Sequence, residues 1–288
     1  MIVHIVSRRI NMNRKHQIPL RKLGDELETF AKVLPNFETA KKVRQERELR
    51  IKKLTRYLSR KSQKLMNKLK NCHPEYPCGS AACPECTRKH RLEMTKEVMT
   101  ICSNLDEWKS VTLIFYQDAI SNDDFWGFDL NKLKRRLRRW LNDCGFSTVV
   151  IGGYEMDFHT DVQKWLPHFH LIVPNEPDAI NQLRLKMRSQ QNAVFRPNII
   201  NRPILVNNLK IPEKQISYHF KLIWWRIESM ICYETINVVR KVRRRTKKFR
   251  LKKKEYIQSL VMLDEIGISE LTFMYKVKKY GSHLVIKD

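Results

Sequence analysis

The chain has 288 residues, 42% of them apolar, which suffices for one large domain or two modest ones around a buried core. Its 56 Lys and Arg outnumber 30 Asp and Glu, a formal charge of +26 that points to a polyanionic partner, nucleic acid before an anionic membrane surface. No apolar run approaches membrane-spanning length and Met1–Arg9 lacks the core of a signal peptide, which argues against a membrane partner and for the cytoplasm. Seven cysteines, an odd number, favour metal binding or buried thiols over a disulfide framework.

Residues 1–71 form a basic, helical N-terminal region. Leu27, Phe30 and Leu34, then Leu49, Ile51, Leu54 and Leu58, recur at three- and four-residue steps. The Lys and Arg crowding Lys41–Lys70 make a solvated helix face, or one that lies along a nucleic-acid backbone.

Residues 72–106 hold a cysteine cluster: Cys72, Cys78, Cys83 and Cys86. Cys83-Pro-Glu-Cys86 is a tight knuckle that lets two thiolates reach one ion, and the other two complete a tetrahedral Zn²⁺ site. A closed four-ligand site is structural rather than catalytic. His73 or His90 is an alternative fourth ligand. Cys102, Cys144 and Cys232 read as small buried residues.

Residues 107–236 read as a mixed domain. Lys109–Tyr116 is a strand, and Leu130–Leu141 a helix with Leu130, Leu133, Leu137, Trp140 and Leu141 on one stripe. Its cationic outer face, including Lys134, Arg135, Arg138 and Arg139, is suited to phosphate contacts. Ser147–Phe158 and Trp165–Asn175 are strands, and the short link between them makes them antiparallel neighbours.

Strand side chains alternate, so His168 and His170 share a face while Phe169 points into the core. Glu155 lies beside them if the register permits, with Asp157 of the same parity in reserve. Such a set suits Mg²⁺ or Mn²⁺ with open water positions; the bland alternative is two satisfied histidines and an exposed acid. Glu176-Pro177 opens a helix to about Gln190, and Pro203–Asn208 is a further strand. Strand, helix, strand, strand, helix, strand predicts an α+β fold: a split βαβ antiparallel sheet with helices on one face.

Pro212 opens a helix expected to run to about Tyr233. It would put Tyr218, a candidate nucleophile, and Lys221, a candidate charge stabiliser, on one face. That pair alone is common and usually structural. Residues 237–288 form a basic C-terminal extension. Within it Arg240–Lys254, including Arg243, Arg244 and Arg245, holds no acid and reads as a nucleic-acid clamp or an exposed tail. A helix and a short strand, Ser282–Lys287, close the chain.

Together these features resemble the HUH endonucleases, and within them the rolling-circle replication initiators of small plasmids and phages. Thr112-Leu-Ile-Phe115 looks like the family's first motif, Pro167-His-Phe-His-Leu-Ile-Val173 like its metal motif, and Tyr218-His-Phe-Lys221 like its tyrosine motif. The cysteine knuckle and Glu155 also have counterparts in one branch. The match covers roughly residues 72–225.

Position 222 is Leu where one branch carries a second tyrosine, so the resemblance is to single-tyrosine enzymes. The acid that some of these place four residues before the tyrosine is Lys214 here, and the nearest acid is Glu213. The resemblance implies a ferredoxin/RRM-like nuclease domain that uses Mg²⁺ or Mn²⁺ and carries a structural zinc. It further implies a 5′-phosphotyrosine intermediate and a free 3′-OH primer. Its partners would be single-stranded or hairpin-forming origin DNA, and a host helicase. An HUH transposase or mobilisation relaxase would use the same residues. A non-catalytic zinc-containing DNA-binding regulator, or an RNA-binding protein, would account for the charge and cysteines but not for the histidine pair and Tyr218.

Overall fold

In a computed structural model that describes residues 20–196, 200–236, 239–281 and 283–287, the chain opens with three helices: α1 (Leu20–Val33), α2 (Ala40–Leu54) and α3 (Arg60–Lys70). The Thr39 and Ser59 hydroxyls cap α2 and α3 by accepting from Lys42 N and Ser62 N. Met1–Arg9 lies outside the described residues. Helix α4 (Pro84–Ile101) starts on Pro84, whose missing N–H costs nothing in a first turn.

Strands β1 (Trp108–Ile114) and β2 (Ile120–Ser121) lead to α5 (Leu130–Asp143), capped by the Asp129 carboxylate. The long pair β3 (Val150–His159) and β4 (Lys164–Pro174) follows, then α6 (Pro177–Lys186), α7 (Arg188–Gln191), β5 (Ile204–Asn208) and α8 (Pro212–His219). After α8 come β6 (Arg226–Ile236), β7 (Val239–Phe249), α9 (Lys253–Ile266), α10 (Ile268–Leu271), β8 (Thr272–Tyr275), β9 (Val277–Tyr280) and β10 (His283–Ile286).

The main sheet has the order β5-β1-β4-β3-β6-β7, with β2 on β4 and β8 on β3. Pairing is antiparallel except between β3 and β6, which run parallel over Phe158–His159 and Arg226–Ile227. The fold is therefore α+β with a mixed sheet, and β9–β10 is a separate hairpin.

Helices cover both faces of this sheet, not one. On one face Leu133, Leu137 and Leu183 join Val111, Leu113, Tyr154, Phe169 and Leu171 in the main core. On the other, Met94 and Val98 of α4 and Ile216 and Phe220 of α8 pack on Ile151 and Ile172. Strands buried on both faces read as near-continuous apolar runs, and β3 is buried along its whole length.

Two further expectations change. The helix from Pro212 stops at His219 and does not reach Tyr233; residues 226–236 are β6. Ile227, Ile231, Tyr233, Thr235 and Ile236 are strong β formers, and a full antiparallel partner in β7 outweighs helical propensity. The basic run is accordingly part of the sheet: Val239–Phe249 is β7, with Lys247 opposite Glu228 in the register. Among the described residues, no helix is long and apolar enough to cross a membrane.

Candidate active site and metal centre

The β3–β4 register sets Glu155 opposite His168 and Gly153 opposite His170, which puts all three candidate ligands on the face covered by α4 and α8. Glu155 Oε2 lies 3.4 Å from His168 Nε2 and 3.6 Å from His170 Nε2. These distances are long for hydrogen bonds, and Glu155 Oε2 and His170 Nε2 are buried without a partner. One ligand atom from each residue falls within 4.8 Å of the others, so the group could hold a metal ion. Burial opposes the Glu155 charge, yet the two imidazoles beside it hold its carboxyl below the usual range.

The rings are oriented from behind. His168 Nδ1 lies 3.2 Å from the Leu166 carbonyl, which only accepts, so Nδ1 carries a hydrogen and the neutral ring would turn the Nε2 lone pair toward a metal ion. His170 Nδ1 meets Thr112 Oγ1 at 3.0 Å, and Thr112 is its direct register partner on β1. Asp157 turns away from the group: its Oδ1 accepts from Trp225 N at 2.8 Å and its Oδ2 faces Lys248.

Tyr218, on the last turn of α8, sets its ring edge-on to His170 with centroids 5.2 Å apart, and it is 37% exposed. Burial, then the charge of Glu155, raises its phenol above the ordinary value. Lys221 does not share its face, because the helix has ended at His219. The Lys221 ammonium instead stands 5.3 Å from the centre of the Trp225 ring, and burial lowers its pKa. The cation at Tyr218 is Lys248 of β7, Nζ 3.2 Å from the hydroxyl. Glu213, in the first turn of α8, is five positions from Tyr218, about 140° around an ideal helix and off its side.

Next to this group lies His219, buried, with Nε2 3.0 Å from Ser110 Oγ and Nδ1 unpartnered; burial brings its pKa down to about 3. Sequence reasoning passed over His219, Lys248 and Gly153. The first could have been suspected from its place beside Tyr218, whereas the other two depend on pairings remote in sequence.

Cys72, Cys78, Cys83 and Cys86 converge, with Sγ–Sγ distances of 3.6 Å and 3.7 Å. A tetrahedron with metal–sulfur bonds of about 2.3 Å has edges of about 3.8 Å, so the cluster could bind a metal such as zinc. All four are free thiols. Hydrogen bonds from Cys83 and Cys86 lower the Cys78 thiol, while bonding to Cys78 and burial raise Cys83 and Cys86. Gly79 makes the turn at φ 67°, and Arg47 donates to the Cys72 carbonyl at 2.7 Å. Exposed His73 and buried His90 lie outside the set, His90 pairing with Thr272 at 2.9 Å.

The expected phosphate contacts divide. Lys134 is buried, donating to the Glu270 carbonyl and carboxylate at 2.8 Å, so it does not belong to the outer face. It sits one step from Leu133 and three from Leu137, within the buried stripe. Arg135, Arg138 and Arg139 are exposed, Arg138 with its guanidinium over the Phe273 ring. Arg245 is exposed on β7, whereas the side chains of Arg243 and Arg244 lie outside the described residues.

The chain matches no protein-family model, no curated protein and no solved structure.

Proposed function

We propose that the chain is a DNA strand-nicking and -joining enzyme of the HUH type, acting as a rolling-circle replication initiator with Tyr218 as its nucleophile. One observation carries this reading: Glu155, His168 and His170 converge, with unpartnered buried atoms, against the ring of a partly exposed tyrosine. The order β5-β1-β4-β3, antiparallel throughout, with α5 and α6 in the two crossovers, supports a ferredoxin/RRM-like split βαβ core.

A Mg²⁺ or Mn²⁺ ion held by Glu155, His168 and His170 would supply Lewis-acid polarisation of a phosphate oxygen. The rest falls to the chain itself. Tyr218, set against His170, presents its oxygen beside that phosphate; a bond forms from the phenol oxygen to phosphorus and the bond to the 3′ oxygen breaks. The products are a 5′-phosphotyrosine and a 3′-OH that can prime synthesis, and the reverse step rejoins the strand. Arg135, Arg138, Arg139 and Arg245 would hold the backbone of a single-stranded or hairpin-forming origin. A host helicase and a cytoplasmic setting belong to this same reading.

The test is incubation with single strands of the chain's own replicon and Mn²⁺ or Mg²⁺, followed by a denaturing gel. A covalent adduct is expected from the native chain and none from Tyr218→Phe. Binding of that DNA by folded protein without any adduct would overturn the reading.

A further inference from the structure

Tyr218 meets a cation that neither its own helix nor its sequence neighbours provide. Lys248 Nζ stands 3.2 Å from the Tyr218 hydroxyl oxygen and 3.3 Å from Asp157 Oδ2. Its position is fixed through two strand pairings: Lys248 lies opposite Ile227 of β6, and Ile227 opposite His159 of β3. Asp157 is buried at 4% exposure and anchored by the Trp225 N–H, so it holds the ammonium in place rather than following it. By contrast, Lys221 faces the Trp225 ring.

We propose that Lys248 is the catalytic cation of this site, donating a hydrogen bond to the Tyr218 oxygen and balancing the negative charge left there when the phenolic proton departs. The assignment rests on the nicking function proposed above. In the step, the phenolic proton passes to water, the phenolate oxygen bonds to phosphorus, and the leaving 3′ oxygen takes a proton from water. Lys248 keeps its protons throughout. Burial works against its charge, but the ion pair with buried Asp157 at 3.3 Å raises its pKa above that of an ordinary lysine. It therefore acts as a fixed charge, not a base. Because a phenol is a poor nucleophile near neutral pH, a fixed cation at hydrogen-bond distance acts where the chemistry most needs it.

Two measurements on the full chain test this, one of them independent of DNA. An arylsulfonyl fluoride, which forms a sulfonate ester with an activated phenol and releases fluoride, is followed by peptide mass spectrometry at Tyr218. Labelling should slow roughly fivefold or more in Lys248→Met, recover in part in Lys248→Arg, and stay at the native rate in Lys221→Met. Single-turnover adduct formation at saturating DNA should fall about tenfold or more in Lys248→Met with DNA binding unchanged. Native-rate labelling in Lys248→Met, or an equal loss in Lys221→Met, would overturn the assignment. If the native chain forms no adduct on replicon DNA, the nicking function fails, and labelling alone decides whether Lys248 activates Tyr218.

Discussion

The carbonyl oxygen of His219 rests over Gly153: a Cβ on that glycine would stand 2.1 Å from it. Gly153 is the register partner of His170, so this close approach brings the end of α8 down onto the β3–β4 pair and Tyr218 against His170. The glycine is required by the space above it, since no positive φ is involved. Gly153→Ala should therefore lift the end of α8, at a cost of about 1–3 kcal/mol typical of overpacking. Urea unfolding measures the loss, and the His170 imidazole NMR signals should move as the Tyr218 ring withdraws. Unchanged His170 signals in a folded variant would refute this role for the glycine.

The cysteine cluster is linked to the same tyrosine through α4. Cys86 lies in the first turn of that helix, and Arg91, further along it, donates to the carbonyl and hydroxyl of Ser217 at 2.8 Å and 2.9 Å. Arg91 also pairs with Glu38, tying the α1–α2 connection to α8. Removing a metal held by the four cysteines, as proposed, should loosen α4 and with it Tyr218. If about 5 kcal/mol of stabilisation is lost, Tm falls by roughly 10–20 °C. Cys83→Ala should do the same. Metal analysis of His168→Ala/His170→Ala should still find this ion, and its loss there would mean that the ligands are wrongly divided between the two groups.

Much of the candidate site was legible because it depends on short-range periodicity. His168 and His170 share a face by strand alternation, and the short β3–β4 link leaves little freedom in where Glu155 falls. The cysteine spacing is equally local. What escaped reading depends on distant partners. The α8 helix ends where Phe220 enters the second core and the Trp225 N–H is taken by Asp157. Helical spacing thus offered Lys221 as the companion of Tyr218, while the strand that supplies Lys248 lies about thirty residues on. Lys134 differs for another reason: its charge suggests the outer face, whereas its angular position on α5 puts it in the buried stripe.

The angular positions on α5 give opposite expectations for cations of that one helix. Lys134→Met removes the donor to Glu270 from a buried position and should destabilise the fold by about 1–3 kcal/mol, leaving the salt dependence of DNA binding unchanged. Arg135→Ala/Arg139→Ala, on the exposed face, should change stability by less than about 0.5 kcal/mol. It should lower DNA affinity and flatten the slope of log K against log salt by about 1 for each phosphate that is no longer neutralised. Parallel urea melts and salt titrations separate the two. A stability loss in the double variant with an unaltered slope would remove α5 from the proposed DNA-binding surface.

Stability should depend on pH through His90, which belongs to neither candidate ligand group. On α4 it lies against Phe220, with Nε2 2.9 Å from Thr272 Oγ1. Burial, then the charge of Lys279, brings its pKa down to about 3. An unfolded chain would protonate it near 6.5, so between these values the unfolded state binds the extra proton and stability rises with pH. The contribution is complete above pH 6.5 and is lost progressively as pH falls toward 3. By about pH 5 the loss amounts to about 2 kcal/mol, at 1.36 kcal/mol per pH unit. His90→Gln keeps a polar partner for Thr272 but cannot titrate. Urea midpoints at about pH 7.5 and about pH 5 should therefore separate more widely for the native chain than for the variant. Acid weakening of any metal held by the cysteines would affect both chains alike, so equal separations would place the acid sensitivity elsewhere.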